Sequence, residues 1–329
     1  MAVVPGMVSV VVPAFNEEAS ISACLDALLN QSYPDIEILV LDGGSTDRTV
    51  EVVADYTSRD ARVRLIDNPR RTQPAALNSA IPVACGEYII RMDAHATVGP
   101  NYVAGIVGHL STGKWGGVGG RKNAVGYTAA GRAIAAALGS RFGVGNSTYH
   151  HGVSVQSVEH IPFGAYPGWL VRELGGWDEA CPTNEDFEFD YRVRQRGLDL
   201  LFDPALVIEW EGRQSIRALG RQYRRYGRGK SLVVRKHPRS ASLRHLAPPG
   251  IVISLIAAAA LAPFRPKWAA LLAAPYLGLL TVGSLSVAAR LNTAEERLTA
   301  PLALAAMHLP WGLGFLEGLA GASQEQGPR

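Results

Sequence analysis

The chain has 329 residues, of which 47% are hydrophobic and 19% charged, with a formal net charge of +3. That length allows one large domain with an appendage, or two modest domains. The net charge is too small to indicate nucleic-acid binding, and a charged share below the ~25% usual in soluble domains indicates a membrane portion.

Val8-Ser9-Val10-Val11-Val12 is a β-branched run that stops at Pro13. It reads as a buried parallel strand. A polar turn, Ala14 to Glu18, leads into Ile21, Cys24, Leu25, Leu28 and Leu29 at helical spacing. Ile36 to Leu41 is a second strand, ended by Asp42-Gly43-Gly44-Ser45, and Thr46-Asp47 opens a helix. Val63 to Ile66 is a third strand. Pro74 to Val83 is expected to be a helix, and Tyr88 to Met92 a fourth strand closed by Asp93. This β-α alternation implies a parallel sheet covered by helices on both faces. In such sheets ligands bind beyond the carboxyl ends of the strands. Asn16, Glu17, Asp42, Asp93 and His95 all fall there.

Farther on, Val118 to Arg121 reads as a strand and Ala129 to Leu138 as an alanine-rich helix. Gly143 to Val158, rich in Gly, Ser and His, reads as a mobile loop. Glu185 to Arg196 has a helical pattern, and Leu198 to Ile208 contains a strand. Basic residues crowd the stretch from Arg213 to Arg244. After Pro248-Pro249 come three apolar stretches: Ile251 to Phe264, Trp268 to Ala289 and Leu298 to Ala320. A spanning helix needs about 20 apolar residues, so two or three crossings are expected. The preceding basic stretch places the large domain on the cytoplasmic side. Met1 to Gly6 lacks a basic n-region, and Val8 to Val12 is too short for a signal-peptide core, which agrees with that side. Cys24, Cys85 and Cys181 are scattered, without CxxC or zinc spacing, and read as thiols in a reducing compartment.

Several strand-end residues admit a structural and a chemical role. Asp42 suits a turn, and Asp47 suits a helix cap more than a ligand contact. Carboxylates at two adjacent strand ends can also accept hydrogen bonds from a nucleobase and a ribose, with glycines letting the backbone approach. Asp93-Ala94-His95 reads in isolation as a strand-capping aspartate with a solvated loop histidine, and otherwise as a carboxylate and an imidazole at i, i+2 that suit manganese better than magnesium. Asn184-Glu185-Asp186 sits where a helix should start. It is either a cap or the location of a general base. Gln222-Tyr223-Arg224-Arg225-Tyr226 offers a guanidinium that can grip a diphosphate, or belongs to a solvated basic helix.

In this order the pieces resemble the family-2 inverting glycosyltransferases of GT-A fold. They are Pro13-x-x-Asn16-Glu17, Asp42 to Asp47, Asp93-Ala94-His95, Gly175-Gly176-Trp177-Asp178-Glu179, Glu185-Asp186 and Gln222-x-x-Arg225-Tyr226. Closer similarity is to ExoA-type succinoglycan glucosyltransferases, through Asp93-Ala94-His95-Ala96, Pro162 to Tyr166, Gln222 to Gly227 and Lys236-His237-Pro238. The resemblance implies a GT-A domain over residues 1–247, a membrane region of two to three helices over 248–321, and a polar tail over 322–329. It implies that Pro13, Asn16, Glu17 and Asp42 hold a uridine, and that Asp93, with His95, holds Mn²⁺ or Mg²⁺ on the donor diphosphate. Asp186 would be the base and Glu185 its neighbour, while Gln222, Arg225 and Tyr226 would contact the donor. His95 stands where the family has a second aspartate, and Tyr226 where processive synthases have Trp.

The implied activity is inverting transfer of a hexose from a nucleotide diphosphate, UDP-glucose among the candidates, to a hydroxyl of a glycan or lipid-linked acceptor. Its setting would be the cell membrane, with a cytoplasmic catalytic domain and no nucleic-acid partner. A polyprenyl-phosphate acceptor fits the same membrane segments. A non-catalytic nucleotide-sugar binder would have no need of acids at both Asp93 and Asp186. A nucleotidyltransferase would carry a Gly-rich basic loop after the first strand, and Pro13 to Glu18 is not one.

Overall fold

A computed structural model describes residues 2–321 of the chain. The expected polar tail, 322–329, lies outside the described residues. Two compact units form: one from the residues up to Lys122 with Gly152–Trp210, the other from Asn123–His151 with the chain from Glu211 on.

The first unit is built on a nine-stranded mixed sheet in the order β3-β2-β1-β4-β8-β6-β9-β5, with β7 paired to β9. Its parallel half comes from the alternating N-terminal segments. These are β1 (Val4–Ala14), α1 (Ile21–Leu29), β2 (Ile36–Asp42), α2 (Thr49–Arg59), β3 (Val63–Asp67), α3 (Gln73–Ala80) and β4 (Gly86–Arg91). Every residue of β2 is buried, as befits a strand covered on both faces. The register sets Pro13 beside Leu41 and Ala14 beside Asp42, and on the other side Val11 beside Arg91. β1 and β2 therefore end level while β4 stops opposite Val11, and their polar successors share one edge.

β5 (Ala96–Val98) and α4 (Tyr102–Leu110) follow, then β6 (Trp115–Val125), longer than its sequence suggested. β6 is rich in glycine because its neighbours are close: a Cβ on Gly119 would meet Ile161, and one on Gly120 would strike the carbonyl of Leu206. α5 (Ala129–Leu138) is the alanine-rich helix. The stretch expected to be a mobile loop instead holds α6 (Arg141–Val144), α7 (Thr148–His151) and β7 (Gln156–Val158). β7 is held by antiparallel pairing to β9 (Asp199–Glu211), Gln156 opposite Phe202. Such pairing supplies the order that its polar composition does not advertise.

β8 (Ala165–Pro167) pairs antiparallel with β4 and runs into α8 (Gly168–Glu173). α9 (Glu185–Gln195) starts at the expected residue and packs its apolar side on the sheet. There Phe189, fully buried, stacks on Trp177 at 4.8 Å and meets Tyr166 edge-on at 4.8 Å. Trp177 is seated by Asn78, which accepts from its backbone N–H and donates to its carbonyl, each at 2.8 Å. Cys24 and Cys181 are buried, as expected, and Cys85 only partly so.

The second unit adds α10 (Ile216–Lys236), α11 (Leu243–Leu261), α12 (Pro266–Ala288) and α13 (Ala294–Leu319) to α5, α6 and α7. The last three helices are long and apolar enough to cross a membrane. α11 begins eight residues before Ile251, with Ser242 and His245 closing a capping box ahead of Pro248 and Pro249. That extension makes the first apolar stretch long enough.

Phe189→Ala removes the ring on which α9 and Trp177 are seated. It is expected to lower stability by about 3–5 kcal/mol, read from the denaturation midpoint. A loss near zero would mean that α9 is not held by this stack.

Candidate active site

Three strand-end loops of the first unit are joined by hydrogen bonds. Asn16, at a positive φ of 54°, accepts through Oδ1 from the Thr46 N–H at 2.8 Å. Its own N–H donates to Ser45 Oγ at 2.9 Å. The next two N–H groups donate to Thr49 Oγ1 at 2.7 Å and to Asp47 Oδ2 at 3.1 Å. The loops after β1 and β2 are thus laced together. Asp42 uses both oxygens on its own turn: Oδ2 accepts from the Gly44 and Ser45 N–H groups at 2.9 and 3.0 Å, and Oδ1 from Ser45 Oγ at 2.6 Å. Asp47 accepts from the Thr49 N–H at 3.0 Å and so anchors the start of α2. Asp42 therefore performs the turn role that its position allowed, while Asp47 stands one residue before the α2 N-cap, Arg48. Pro13 sits within β1 beside Leu41. Glu17 then reaches the third loop, its Oε1 lying 2.9 Å from His95 Nδ1.

The centre is Arg91, the last residue of β4 and only 4% exposed. Nη1 lies 3.0 Å from Asp186 Oδ2 and 3.2 Å from Glu185 Oε1, and Nη2 lies 3.4 Å from Asp93 Oδ1. Asp93 Oδ1 also accepts from Gln73 Nε2 at 3.0 Å. One guanidinium therefore joins the end of β4 to the start of α9 and faces three carboxylates. Burial alone would lower the Arg91 pKa, but Asp93, Glu185 and Asp186 together hold it above the usual value. The cluster keeps an excess of negative charge.

Four acids lie in or near the first turns of α9, and their surroundings separate them. Glu185 is 2% exposed and paired with Arg91. Glu188 is fully buried against Arg192. Asp190, also fully buried, accepts from the Ile161 N–H at 2.8 Å and Tyr166 Oη at 2.7 Å, with His160 Nδ1 at 2.7 Å. Burial pushes its pKa up against those partners. The Asp186 side chain alone in this group is partly open, at 19%. Burial raises its pKa, but Arg91, His160, the Phe187 N–H and Lys122 outweigh that and hold it below the ordinary carboxylate range. Asp186 is thus ionised at neutral pH and reachable. Asn184, at φ 64°, precedes it in the left-handed region and makes no side-chain cap. Phe163, at φ 52°, lies beneath Lys122, whose Nζ is 4.5 Å from that ring and 3.8 Å from Trp210. Positive φ at non-glycine residues marks backbone strain that the surroundings must hold.

Among the described residues no group of three or more His, Cys, Asp or Glu side chains converges to hold a cation. Asp93 Oδ1 faces Arg91 and Gln73, and His95 Nδ1 faces Glu17. His95, oriented through Nδ1 by Glu17, has the carboxylate–imidazole arrangement that steadies a metal-ligating histidine. Gln222 and Tyr226 lie on α10 in the second unit, with Gln222 Nε2 donating to Tyr226 Oη at 2.9 Å, and Arg225 lies between them.

Sequence reasoning missed Arg91, Gln73, Lys122, His160 and Trp210. Only Arg91 carried a signal: an arginine inside an apolar strand, two residues before an aspartate, must find anions once buried.

The chain is similar to known proteins. Glycosyl transferase family 2 matches residues 9–134, and Glycosyl transferase family group 2 matches residues 88–285. The chain is 31% identical over 313 residues to the succinoglycan biosynthesis protein ExoA of Rhizobium meliloti, covering 93% of each. The chain belongs to the family-2 glycosyltransferases. As a glycosyltransferase it is also 28% identical, over 70% of its length and 74% of the relative's, to a Methanococcus voltae enzyme. That relative is named dolichyl N-acetyl-alpha-D-glucosaminyl phosphate 3-beta-D-2,3-diacetamido-2,3-dideoxy-beta-D-glucuronosyltransferase. The GT-A fold is shared with the mannosyltransferase PcManGT of Pyrobaculum calidifontis, solved with GDP-Man and Mn²⁺. The TM-score is 0.59 at 20% identity, over 95% of this chain and 86% of that one.

Arg91→Met leaves three acids facing no guanidinium. It is expected to cost about 3–5 kcal/mol of stability at pH 7, as for other broken buried ion pairs. In the intact protein the lowered Asp186 pKa adds stability above the ordinary carboxylate range, lost as the pH falls through the lowered value. In the variant the acids protonate more readily, so the deficit should shrink toward acid pH in a denaturation series. A deficit that does not vary with pH would show that Arg91 acts by packing alone.

Proposed function

We propose that this glycosyltransferase moves a hexose, with inversion, from a UDP-sugar to a hydroxyl of a lipid-linked or polysaccharide acceptor in exopolysaccharide or envelope-glycan synthesis. The observation that carries the reading is Asp186: ionised, partly open, and held 3.0 Å from Arg91 at the strand-end edge of the sheet. Such a carboxylate can take the proton from the acceptor hydroxyl as that oxygen attacks the anomeric carbon. A single displacement by the acceptor needs no covalent intermediate and inverts the centre. Glu185, buried beside it, fixes the guanidinium rather than meeting substrate.

Pro13, Asn16, Glu17 and Asp42 form the wall assigned to the nucleoside. Asp93 and His95 would hold the divalent cation, which when bound draws charge off the departing diphosphate. PcManGT, whose structure contains Mn²⁺, supports that cofactor, and the imidazole favours manganese over magnesium. Gln222, Arg225 and Tyr226 are assigned to the donor diphosphate on their sequence motif. The names of the Rhizobium and Methanococcus relatives, one in succinoglycan synthesis and one on a dolichyl phosphate-linked sugar, support a glycan or lipid-linked acceptor. Residues 248–321 are read as the membrane region, with the catalytic domain of 1–247 at the cytoplasmic face of the cell membrane.

Detergent-purified protein, given UDP- and GDP-sugars with Mn²⁺ or Mg²⁺ and a lipid extract, should release nucleoside diphosphate from one UDP-sugar only. Release should stop in Asp93→Ala, and activity that persists in excess chelator removes the cation. Asp186→Asn should lower transfer by about 10²–10⁴-fold with donor binding retained. Full activity in that variant would move the base elsewhere.

A further inference from the structure

α11, α12 and α13 all have the length and composition of spanning helices, but α13 has different surroundings. Some 44% of its apolar window is buried, against 17% for α11 and for α12. It packs on α11 at Gly312 and on α12 at Leu304, and part of its remaining cover is charged. Near its start Glu296, 2% exposed, holds Arg132 of α5 at 2.5 Å. Near its end Glu317 holds both Arg224 and Arg228 of α10. Between these points the helix backbones of α10 and α13 touch. A Cβ on Gly227 would strike the Trp311 carbonyl, one on Gly314 the Arg224 carbonyl, and one on Gly318 the Ser231 hydroxyl. Contacts advance along both helices together, from Gly220 with Pro310 to Ser231 with Gly318, so the two run parallel.

Wherever the second half of α13 lies, α10 lies with it. α10 exposes Arg217 and Arg221 at i and i+4, on the face that also carries Arg224, itself paired with Glu317. Arginines within a bilayer are rare and face a bundle interior or a watery cavity. An exposed stripe of them in hydrocarbon has neither. The part of α13 from Leu298 to Leu309 is about 18 Å long at ~1.5 Å per residue, short of the ~30 Å hydrocarbon layer. The outer side of α13 is nonetheless apolar, with Leu298 76%, Leu302 57% and Leu313 40% exposed on a single helical face.

We propose that α13 does not cross the bilayer. It lies along the headgroup–acyl boundary with its leucines in the acyl layer, and the α10 arginines meet the phosphates of anionic lipid. Only α11 and α12 cross, as a hairpin whose helices are joined by Ser254 Oγ donating to the Leu272 carbonyl at 2.9 Å. The chain then crosses twice, and the end of α13 stays on the same side as α10. The inference rests on the membrane-anchored reading above.

Cysteine labelling tests it on the full chain. Cys24 and Cys181 are buried, so Cys85→Ser gives a quiet background. Into this go Phe264→Cys at the hairpin turn, where the native side chain is 79% exposed, or Leu319→Cys at the end of α13, where it is 47% exposed. With a membrane-impermeant maleimide, Phe264→Cys should label on intact cells, and Leu319→Cys only after the cells are opened. Labelling of Leu319→Cys on intact cells would mean a third crossing and overturn the proposal. So would a Phe264→Cys that stays protected until the cells are opened. Protein released from membranes by alkaline carbonate would instead remove the membrane reading itself, and the topology with it.

Discussion

One guanidinium holds the catalytic end of this protein together. Arg91 sits at the end of β4, and its partner Asp186 lies 95 residues farther along the chain. Asp93, Glu185 and Asp186 could not share this buried space as anions without a cation among them, because repulsion in a poorly solvated site would force protons onto them. Arg91 satisfies most of that repulsion through fixed, forked geometry, which a point-charge ammonium would not match. His160 and Lys122 act on Asp186 in the same direction, and together with Arg91 they hold it ionised. A family-2 glycosyltransferase has a use for an acid that remains ionised.

The parallel half of the sheet was legible because its strands are continuous β-branched runs ended by Pro13, Asp42 and Asp93. β7 and β8 were not. Each has three residues and no alternation, and each exists because a longer neighbour supplies hydrogen bonds. The strand-end acids were legible as a set, and the bonds of Asp42 and Asp47 to their own turns show how local chemistry and site chemistry use the same residues. Arg91 escaped because no spacing rule links a strand residue to a helix start so far away. His160 and Lys122 escaped because isolated basic residues in irregular sequence carry no period.

In the second unit, hydropathy marked all three apolar helices but could not say what covers them. The glycines of α10 and α13 look dispersed in sequence and interlock only when the helices are laid side by side. A window average treats Glu296 and Glu317 as interruptions in an apolar run. In the structure each is the point where a neighbouring helix is fastened to α13.

The lacing of the loops after β1 and β2 has a thermodynamic consequence. Asn16, Glu17 and Glu18 are bonded to Ser45, Thr46, Asp47 and Thr49 within the fold itself. Ordering a free loop costs roughly 1–2 kcal/mol of backbone entropy per residue, and that loss normally subtracts from affinity. Here folding has already taken it. Whatever binds at this wall would meet loops that the fold itself has ordered, so less of its binding energy would go into ordering them.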